Sequence, residues 1–217
     1  SRVRPSTDDL PAVPTPVPPP GKDAPRVVKN IRTIAPKRTA MPEQEAQVRV
    51  NNFDEVARGY TLEMALAEAD RCLQCKKPRC VPGCPVEIDI PGFILALARK
   101  DLRQSYRILK SANTLPAVCG RVCPQEVQCE ITCIVGNKLE PVAIGRLERF
   151  VADFAVGRGW DEVPETKPSG KRAAIIGSGP AGLACAGDLV KAGVDVTVYE
   201  ALHVAGGVLI GSGCYPS

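Results

Sequence analysis

The 217-residue sequence predicts an α-helical domain followed by an incomplete α/β unit. Three observations support this order. Between residues 43 and 155, apolar residues recur every three or four positions, which is the period of an amphipathic helix. Residues 156–170 have the composition of a linker, with Gly, Pro and charged residues. From residue 171 the pattern changes to a strand, a glycine-rich turn, a helix and a second strand.

Residues 1–42 differ in composition from the rest of the chain. They contain ten of the 21 prolines, and residues 1–40 carry 8 Lys or Arg against 3 Asp or Glu. Proline removes amide donors and no apolar period appears, so this segment predicts a disordered, basic, Pro-rich arm. Aromatic residues make up only 4% of the chain, which leaves little for stacking on nucleic-acid bases.

The sequence also limits the cellular compartments in which the protein is expected. The first twenty residues lack the apolar stretch of a secretory signal, and no run of roughly 18 apolar residues could span a membrane. We therefore expect a cytoplasmic protein that neither spans a membrane nor binds nucleic acid.

Several helices of the first domain have recognisable starts. Thr61 is suited to cap a helix that ends close to Cys72 and Cys75. Asp89 is suited to cap a second helix, since Pro91 is tolerated in a first turn. A third helix is expected over about residues 102–109. One more is marked by an apolar stripe, which consists of Ile144, Leu147, Val151 and Phe154.

Eight of the ten cysteines lie in two tight clusters, at residues 72–84 and 119–133. A secreted disulfide scaffold usually spreads its cysteines, so the clusters indicate metal or redox chemistry. The first cluster has spacers of two, four and three residues before a Cys-Pro pair, close to the run found in bacterial ferredoxins. The second has no C-x2-C knuckle of the kind that zinc sites usually pair. Eight cysteines would supply two [4Fe–4S] clusters. A zinc site and inert thiols are the alternatives.

The segments RCLQCKKPRCVPGCPVEIDIPGFI and CGRVCPQEVQCEITC resemble the N-terminal iron–sulfur domain of the glutamate synthase small-subunit family. That family includes the N-terminal part of dihydropyrimidine dehydrogenase. It also includes the large subunit of NADH-dependent reduced ferredoxin:NADP oxidoreductase and the related sulfide dehydrogenase. The likeness covers about residues 37–210, and PKRTAMPEQ with RCLQCK is most similar to this last branch.

The resemblance implies two [4Fe–4S] clusters whose ligands are shared between both cysteine runs. The ligands of one cluster would be Cys72, Cys75, Cys80 and Cys133. The ligands of the other would be Cys84, Cys123, Cys129 and Glu148. Glu148 stands in the G-x-L-[EQ] context of the family, and its alternative is a solvent-facing residue on an amphipathic helix. Cys119 would then not be a ligand, against the simple count of eight cysteines.

The second region carries a dinucleotide-binding pattern. A GxGxxG turn lies between an apolar strand over residues 171–176 and a helix that runs to about Lys191. A second strand, over residues 195–199, ends at an acidic residue that can accept hydrogen bonds from ribose hydroxyls. The predicted binding residues are Gly177, Ser178, Gly179, Pro180, Ala181, Gly182, Glu200, Gly206 and Gly207. The alternative is a close-packed strand–helix turn that binds no ligand.

FAD and NAD(P) use similar turns, but the resemblance implies FAD at GSGPAG, and NAD(P) in the complete enzyme. Only one strand–helix–strand unit is present, so the sequence predicts an α-helical iron–sulfur domain followed by an incomplete Rossmann-like FAD-binding unit. We expect a truncated, frameshifted or split domain, in which FAD binding needs the rest of the domain or a partner chain.

These features predict an electron-transfer segment or subunit of an NAD(P)H-linked iron–sulfur flavoprotein oxidoreductase. It would relay electrons between FAD and an acceptor among other redox subunits. The redox chemistry belongs to the cofactors, so no residue of this chain is predicted to act as a catalytic acid, base or nucleophile. The alternatives are a non-catalytic iron–sulfur assembly subunit and a zinc-binding interaction module.

Overall fold

A computed structural model describes residues 29–160 and 166–211 of this chain. Within those ranges it contains eight α-helices and one two-stranded sheet. The helices of the first region are α1 (Ala46–Arg49), α2 (Leu62–Asp70), α3 (Ile90–Ala98), α4 (Leu102–Ala112), α5 (Pro116–Val122) and α6 (Ile144–Gly157). The second region consists of β1 (Arg172–Ile176), α7 (Pro180–Lys191), β2 (Asp195–Tyr199) and α8 (Val208–Gly211). Part of the predicted arm, part of the linker and the last six residues lie outside the described ranges.

The predicted helix starts are confirmed by their caps. The Thr61 hydroxyl accepts a hydrogen bond from the backbone N–H of Met64, which begins α2. Asp89 accepts from the N–H of Gly92 over 3.0 Å and begins α3. These side chains satisfy N–H groups that have no partner within the first turn of a helix.

The hydrophobic core lies between α2, α3, α4 and α6. The apolar stripe predicted around Ile144 is confirmed, since it is buried along α6. Helix α5 was not predicted, and it packs closely on α6. Gly120 allows this approach, because a Cβ atom at that position would lie 2.6 Å from the backbone nitrogen of Arg149. Helix α5 carries Cys119 into contact with α6, and Cys123 follows directly after its last turn.

The predicted boundary of the arm at residue 42 differs from the structure. Residues 34–39 lie on the helical domain, where Arg71 donates to the backbone oxygen of Ala35 over 3.0 Å. The backbone N–H of Thr39 donates to Glu68, and that of Glu140 donates to the oxygen of Pro36. Each of these bonds joins the segment to residues far from it in the sequence, so composition alone does not indicate them.

The second region has the predicted strand–helix–strand order. The strands β1 and β2 pair in parallel, with Arg172 opposite Asp195 and Ile176 opposite Tyr199. Helix α7 lies against the sheet, and residues at alternate positions of each strand face outward. Ile176 is 83% exposed, so an apolar strand residue is left uncovered by the described residues.

The two regions touch through α7. The Thr114 hydroxyl, after α4, donates to the carboxylate of Asp188 over 3.3 Å. The ammonium group of Lys191 donates to the backbone oxygen of Lys110 over 2.9 Å. Among the helices described, none is both long and apolar enough to cross a membrane.

Candidate functional site

Thiols from both cysteine runs line one cavity of about 30 Å³. It lies between the end of α2, the start of α3 and the segment that leads into α6. Its apolar wall includes Ile90, Ile94, Val142 and Ile144. The thiols that line it are Cys72, Cys75, Cys80 and Cys133. The structure therefore brings Cys133 of the second run to three cysteines of the first.

Local turns set these thiols in place. Helix α2 ends at Asp70, and the N–H of Cys72 still donates to the oxygen of Ala69. The backbone at Gln74 is left-handed, with φ of 55°, and this reverses the chain between Cys72 and Cys75. Cys133 is placed from the other side, where it begins a short 3-10 helix over Ile134–Asn137.

Burial raises the pKa of the Cys72, Cys75 and Cys80 thiols. It raises the pKa of Cys72 to about 11, and the neighbouring thiols Cys133 and Cys75 add to the shift. It raises the pKa of Cys80 to about 12 for the same reasons. A cation that binds here must displace those protons, because the thiolate is the form that ligates a metal.

A second group of side chains lies where α5 meets α6. Burial raises the pKa of Cys129 to about 12, and the charges of Glu130, Cys84 and Glu148 contribute. The charges of Glu148 and Cys84 raise the pKa of Cys123, so these groups lie near one another. The structure thus gathers the four residues predicted for the second cluster.

Cys119 also belongs to this second group. It shares a hydrogen bond with Cys123, which lowers the pKa of Cys119 and raises that of Cys123. Its sulfur lies 3.6 Å from Oδ1 of Asn113. Whether Cys119 or Glu148 is the fourth ligand therefore stays a prediction.

Glu148 is buried on α6, with 6% of its surface exposed. The alternative of a solvent-facing glutamate is therefore wrong. Burial raises the pKa of Glu148 to about 8, the charge of Cys119 adds to this, and a hydrogen bond from Asn113 opposes it. A carboxylate in such a place is costly unless a cation or further donors compensate its charge.

The donor sets fit a polynuclear cluster. Four thiols surround one apolar cavity, and four is the number of sulfur ligands that a [4Fe–4S] cluster takes. Soft thiolate donors are also those that iron–sulfur clusters use.

The glycine-rich turn joins β1 to α7. Gly177 has φ of 95°, a left-handed conformation that favours glycine. Gly182 packs against the backbone oxygen of Gly177, so a side chain there would collide with the turn. Gly179 faces open space, since a Cβ atom at that position would meet nothing within 4 Å. An open backbone at the start of a helix is suited to receive a pyrophosphate.

Ser178 connects the turn to the acidic residue after β2. Its N–H donates to Glu200 Oε2 over 2.9 Å, and its hydroxyl donates to the same oxygen. The hydroxyl also accepts from the N–H of Gly206 over 2.8 Å. The hydrogen bond from the Ser178 side chain, with those from the N–H groups of Leu202 and Ser178, lowers the pKa of Glu200 to about 2. The predicted nucleotide-binding residues are therefore neighbours in the structure.

Sequence analysis missed three residues of these sites. Asn113 donates a hydrogen bond to Glu148, and Gln74 donates one to Cys72. Arg71 donates to the backbone oxygen of Pro141, in the segment before α6. Asn113 and Arg71 act over 35 and 70 positions, so no local spacing could have indicated them. The left-handed backbone at Gln74 could not be predicted either, because only a glycine would have indicated such a conformation in the sequence.

A helical domain with two thiol groups, followed by a Rossmann-like unit, defines the class of iron–sulfur proteins with a dinucleotide-binding region. Residues 49–160 match the family model described as dihydropyrimidine dehydrogenase domain II, 4Fe-4S cluster. Residues 175–210 match that of an NAD(P)-binding Rossmann-like domain. The chain belongs to the iron–sulfur family that includes this dehydrogenase domain and the glutamate synthase small chains.

Named relatives agree with this assignment. The chain is 38% identical over 174 residues to the glutamate synthase [NADPH] small chain of Escherichia coli K12, which covers 80% of this chain and 37% of that protein. It is 39% identical over 170 residues to the NAD-dependent dihydropyrimidine dehydrogenase subunit PreT of the same strain, covering 78% and 40%. The chain thus spans less than half the length of these relatives. The predicted family is confirmed, and the placement near the ferredoxin:NADP oxidoreductase branch stays a prediction.

Proposed function

We propose that this chain is the electron-transfer segment of an NAD(P)H-linked iron–sulfur flavoprotein oxidoreductase. The observation that carries the proposal is the cavity lined by thiols of both cysteine runs. Such sharing ties the two halves of the helical domain to one metal group. It is the arrangement that the family resemblance implies.

The proposed ligands follow from the two groups of side chains. One [4Fe–4S] cluster would be held by Cys72, Cys75, Cys80 and Cys133. The other would be held by Cys84, Cys123, Cys129 and Glu148. When bound, such clusters accept and donate single electrons. The protein places the thiols in an apolar wall and sets the charge around each group.

The glycine-rich turn is proposed to bind FAD. Gly179 directly precedes α7, and the space beside it is open. A pyrophosphate would lie there, next to the N–H groups of the first helical turn. Glu200 would accept hydrogen bonds from the ribose, and Ser178 already orients its carboxylate. Thr114 links this unit to the helical domain beside the second thiol group. NAD(P) would bind in the complete enzyme.

The partners are proposed to be other redox subunits. The relatives carry the names small chain and subunit, which are names of parts of larger assemblies. Iron–sulfur clusters transfer single electrons, and we propose that the acceptor of these electrons lies on one of those subunits.

Anaerobic purification from native cells tests the proposal. We expect about eight irons per chain, the content of two [4Fe–4S] clusters. We also expect bound flavin in the isolated assembly, and reduction of both chromophores by NADH or NADPH. Zinc in place of iron would favour an interaction module. Iron without flavin, and without reduction by either nicotinamide, would favour a non-catalytic assembly subunit.

A further inference from the structure

Gln74 lies between two of the thiols and has three unusual features. Its backbone is left-handed, with φ of 55°, although it is not a glycine. Its side chain is buried, with 4% of the residue exposed. Its Nε2 donates to Sγ of Cys72 over 3.4 Å, while its buried Oε1 has no hydrogen-bond partner among the residues described.

Each of these features is unfavourable for a residue without a specific role. A left-handed backbone disfavours side chains that have a Cβ atom, and a glycine would adopt it freely. A buried amide oxygen without a donor retains the full cost of its desolvation. Strained backbone of this kind is concentrated at functional sites, where the surrounding structure holds it in place.

The left-handed turn explains how the amide reaches Cys72. It reverses the chain, so the side chain returns to the residue two positions earlier. The orientation of the amide follows from charge. If Cys72 is a thiolate, its sulfur attracts the N–H donor, and the opposite orientation would place Oε1 against a negative sulfur. Because Nε2 of Gln74 then donates to Sγ of Cys72, its Oε1 points away from the sulfur and is left without a partner among the residues described.

We propose that Gln74 is a positioning residue that raises the reduction potential of the cluster held by Cys72. An N–H donor on a ligating sulfur stabilises the more negative, reduced state more than the oxidised state. The amide donates to Cys72 and not to the thiols around α5 and α6, so the potential of the other proposed cluster would not depend on it. This inference rests on the proposed function, because it requires Cys72 to ligate iron.

Two substitutions separate the amide from the backbone conformation. Gln74→Met removes the donor and keeps a side chain of similar length. Gln74→Gly also removes the donor but favours the left-handed backbone. Gln104→Met is the control, since Gln104 is exposed on α4. We expect both Gln74 variants to keep the iron content of the wild type.

The test is a redox titration of anaerobically purified protein, followed by EPR. We expect the midpoint potential of one cluster to shift to a more negative value in both Gln74 variants. The other cluster and the Gln104→Met control should keep their potentials. In protein labelled with glutamine that carries 15N only in its side-chain amide, the reduced signal should show a nitrogen coupling that is lost in Gln74→Met.

The outcomes distinguish this inference from the proposed function. Wild-type protein without iron would contradict the proposed function itself. Unchanged potentials in both Gln74 variants, with the clusters retained, would contradict only the role of Gln74. Loss of a cluster from both variants would also overturn that role, because it would make Gln74 a structural residue.

Discussion

The side chains of Asn113 and Glu148 form a buried hydrogen bond between α4 and α6, in which Nδ2 of Asn113 donates to Oε1 of Glu148 over 2.8 Å. The Oδ1 atom of Asn113 accepts from the N–H of Leu115, which begins α5. The next residue, Thr114, contacts Asp188 on α7. Asn113 thus joins three helices of the thiol domain at the point where the dinucleotide unit touches it.

We expect Asn113→Leu to destabilise the helical domain by about 1–3 kcal/mol, the usual cost of leaving buried polar groups without a partner. The substitution removes the donor to Glu148 and the acceptor of Leu115. The measurement is the apparent free energy of unfolding in urea, compared under one anaerobic condition. In the double variant with Glu148→Leu, the two costs should not add, because one interaction is lost in both. Additive costs would mean that the two side chains are not coupled.

The parts of the fold that could be predicted depend on neighbours in the sequence. Thr61 and Asp89 begin helices because their side chains reach an N–H three residues later. The glycine-rich turn is equally local, since Gly177 and Gly182 lie within one strand–helix connection. Such signals predict the order of the two regions. The close spacing of the cysteines is local in the same way, and it predicts a metal-binding set.

The parts that could not be predicted depend on distant contacts. Helix α5 has no clear apolar stripe, since its seven residues include a proline and a glycine, and it is stabilised by packing on α6. Arg71 donates to backbone oxygens of residues 35 and 36 before it in the chain and of residues 140 and 141 after it. Each acceptor is a backbone carbonyl, which every residue has. The sequence therefore does not indicate which carbonyls Arg71 contacts.

The buried ion pair between Arg71 and Glu68 should contribute strongly to stability. Glu68 is fully buried, Arg71 is 2% exposed, and their charged atoms lie 2.7 Å apart. Arg71→Met would leave the Glu68 carboxylate buried without its cation, at a cost of about 3–5 kcal/mol. Arg49→Met removes the cation of an exposed pair with Glu43, and it should cost at most about 1 kcal/mol. Thermal unfolding followed by circular dichroism compares them, and equal effects would contradict this expectation.

The ligand assignment predicts different results for two cysteines of the second group. Anaerobically reconstituted Cys119→Ser should retain about eight irons per chain and both EPR signals of the reduced clusters. Cys84→Ser should remove a ligand and lower the iron content toward about four. Serine is close to cysteine in size, so the two variants differ in the position changed rather than in the substitution.

Glu148→Ala provides the complementary test of that assignment. It should alter one EPR signal and leave the other unchanged, because it removes an oxygen donor from one cluster only. The eight-cysteine alternative makes the opposite prediction. It would be restored if Cys119→Ser lost a whole cluster while the spectra of Glu148→Ala stayed those of the wild type.

The hydrogen bonds from Ser178 to Glu200 predict a measurable pH dependence. The pKa of Glu200 in the folded protein is about 2, below its ordinary value of 4.5, because N–H and O–H donors stabilise the carboxylate. A lowered pKa means that the ionised carboxylate favours the folded state above about pH 4.5. That contribution is lost progressively as the pH falls from about 4.5 to about 2.

Ser178→Ala removes the hydroxyl, which is the largest cause of the lowered pKa, and leaves the backbone N–H donors of Leu202, Ser178 and Ala201 in place. We expect the pKa of Glu200 to rise toward 4.5 without reaching it, since its three backbone donors are retained. The measurement is a carboxyl carbon NMR titration, in which Glu200→Gln identifies the resonance by its disappearance. If Ser178→Ala titrated like the wild type, the hydroxyl would not stabilise the Glu200 carboxylate, and a ribose could bind there without displacing it. A raised pKa would instead mean that a bound ribose must share or replace the Ser178 hydroxyl at that carboxylate.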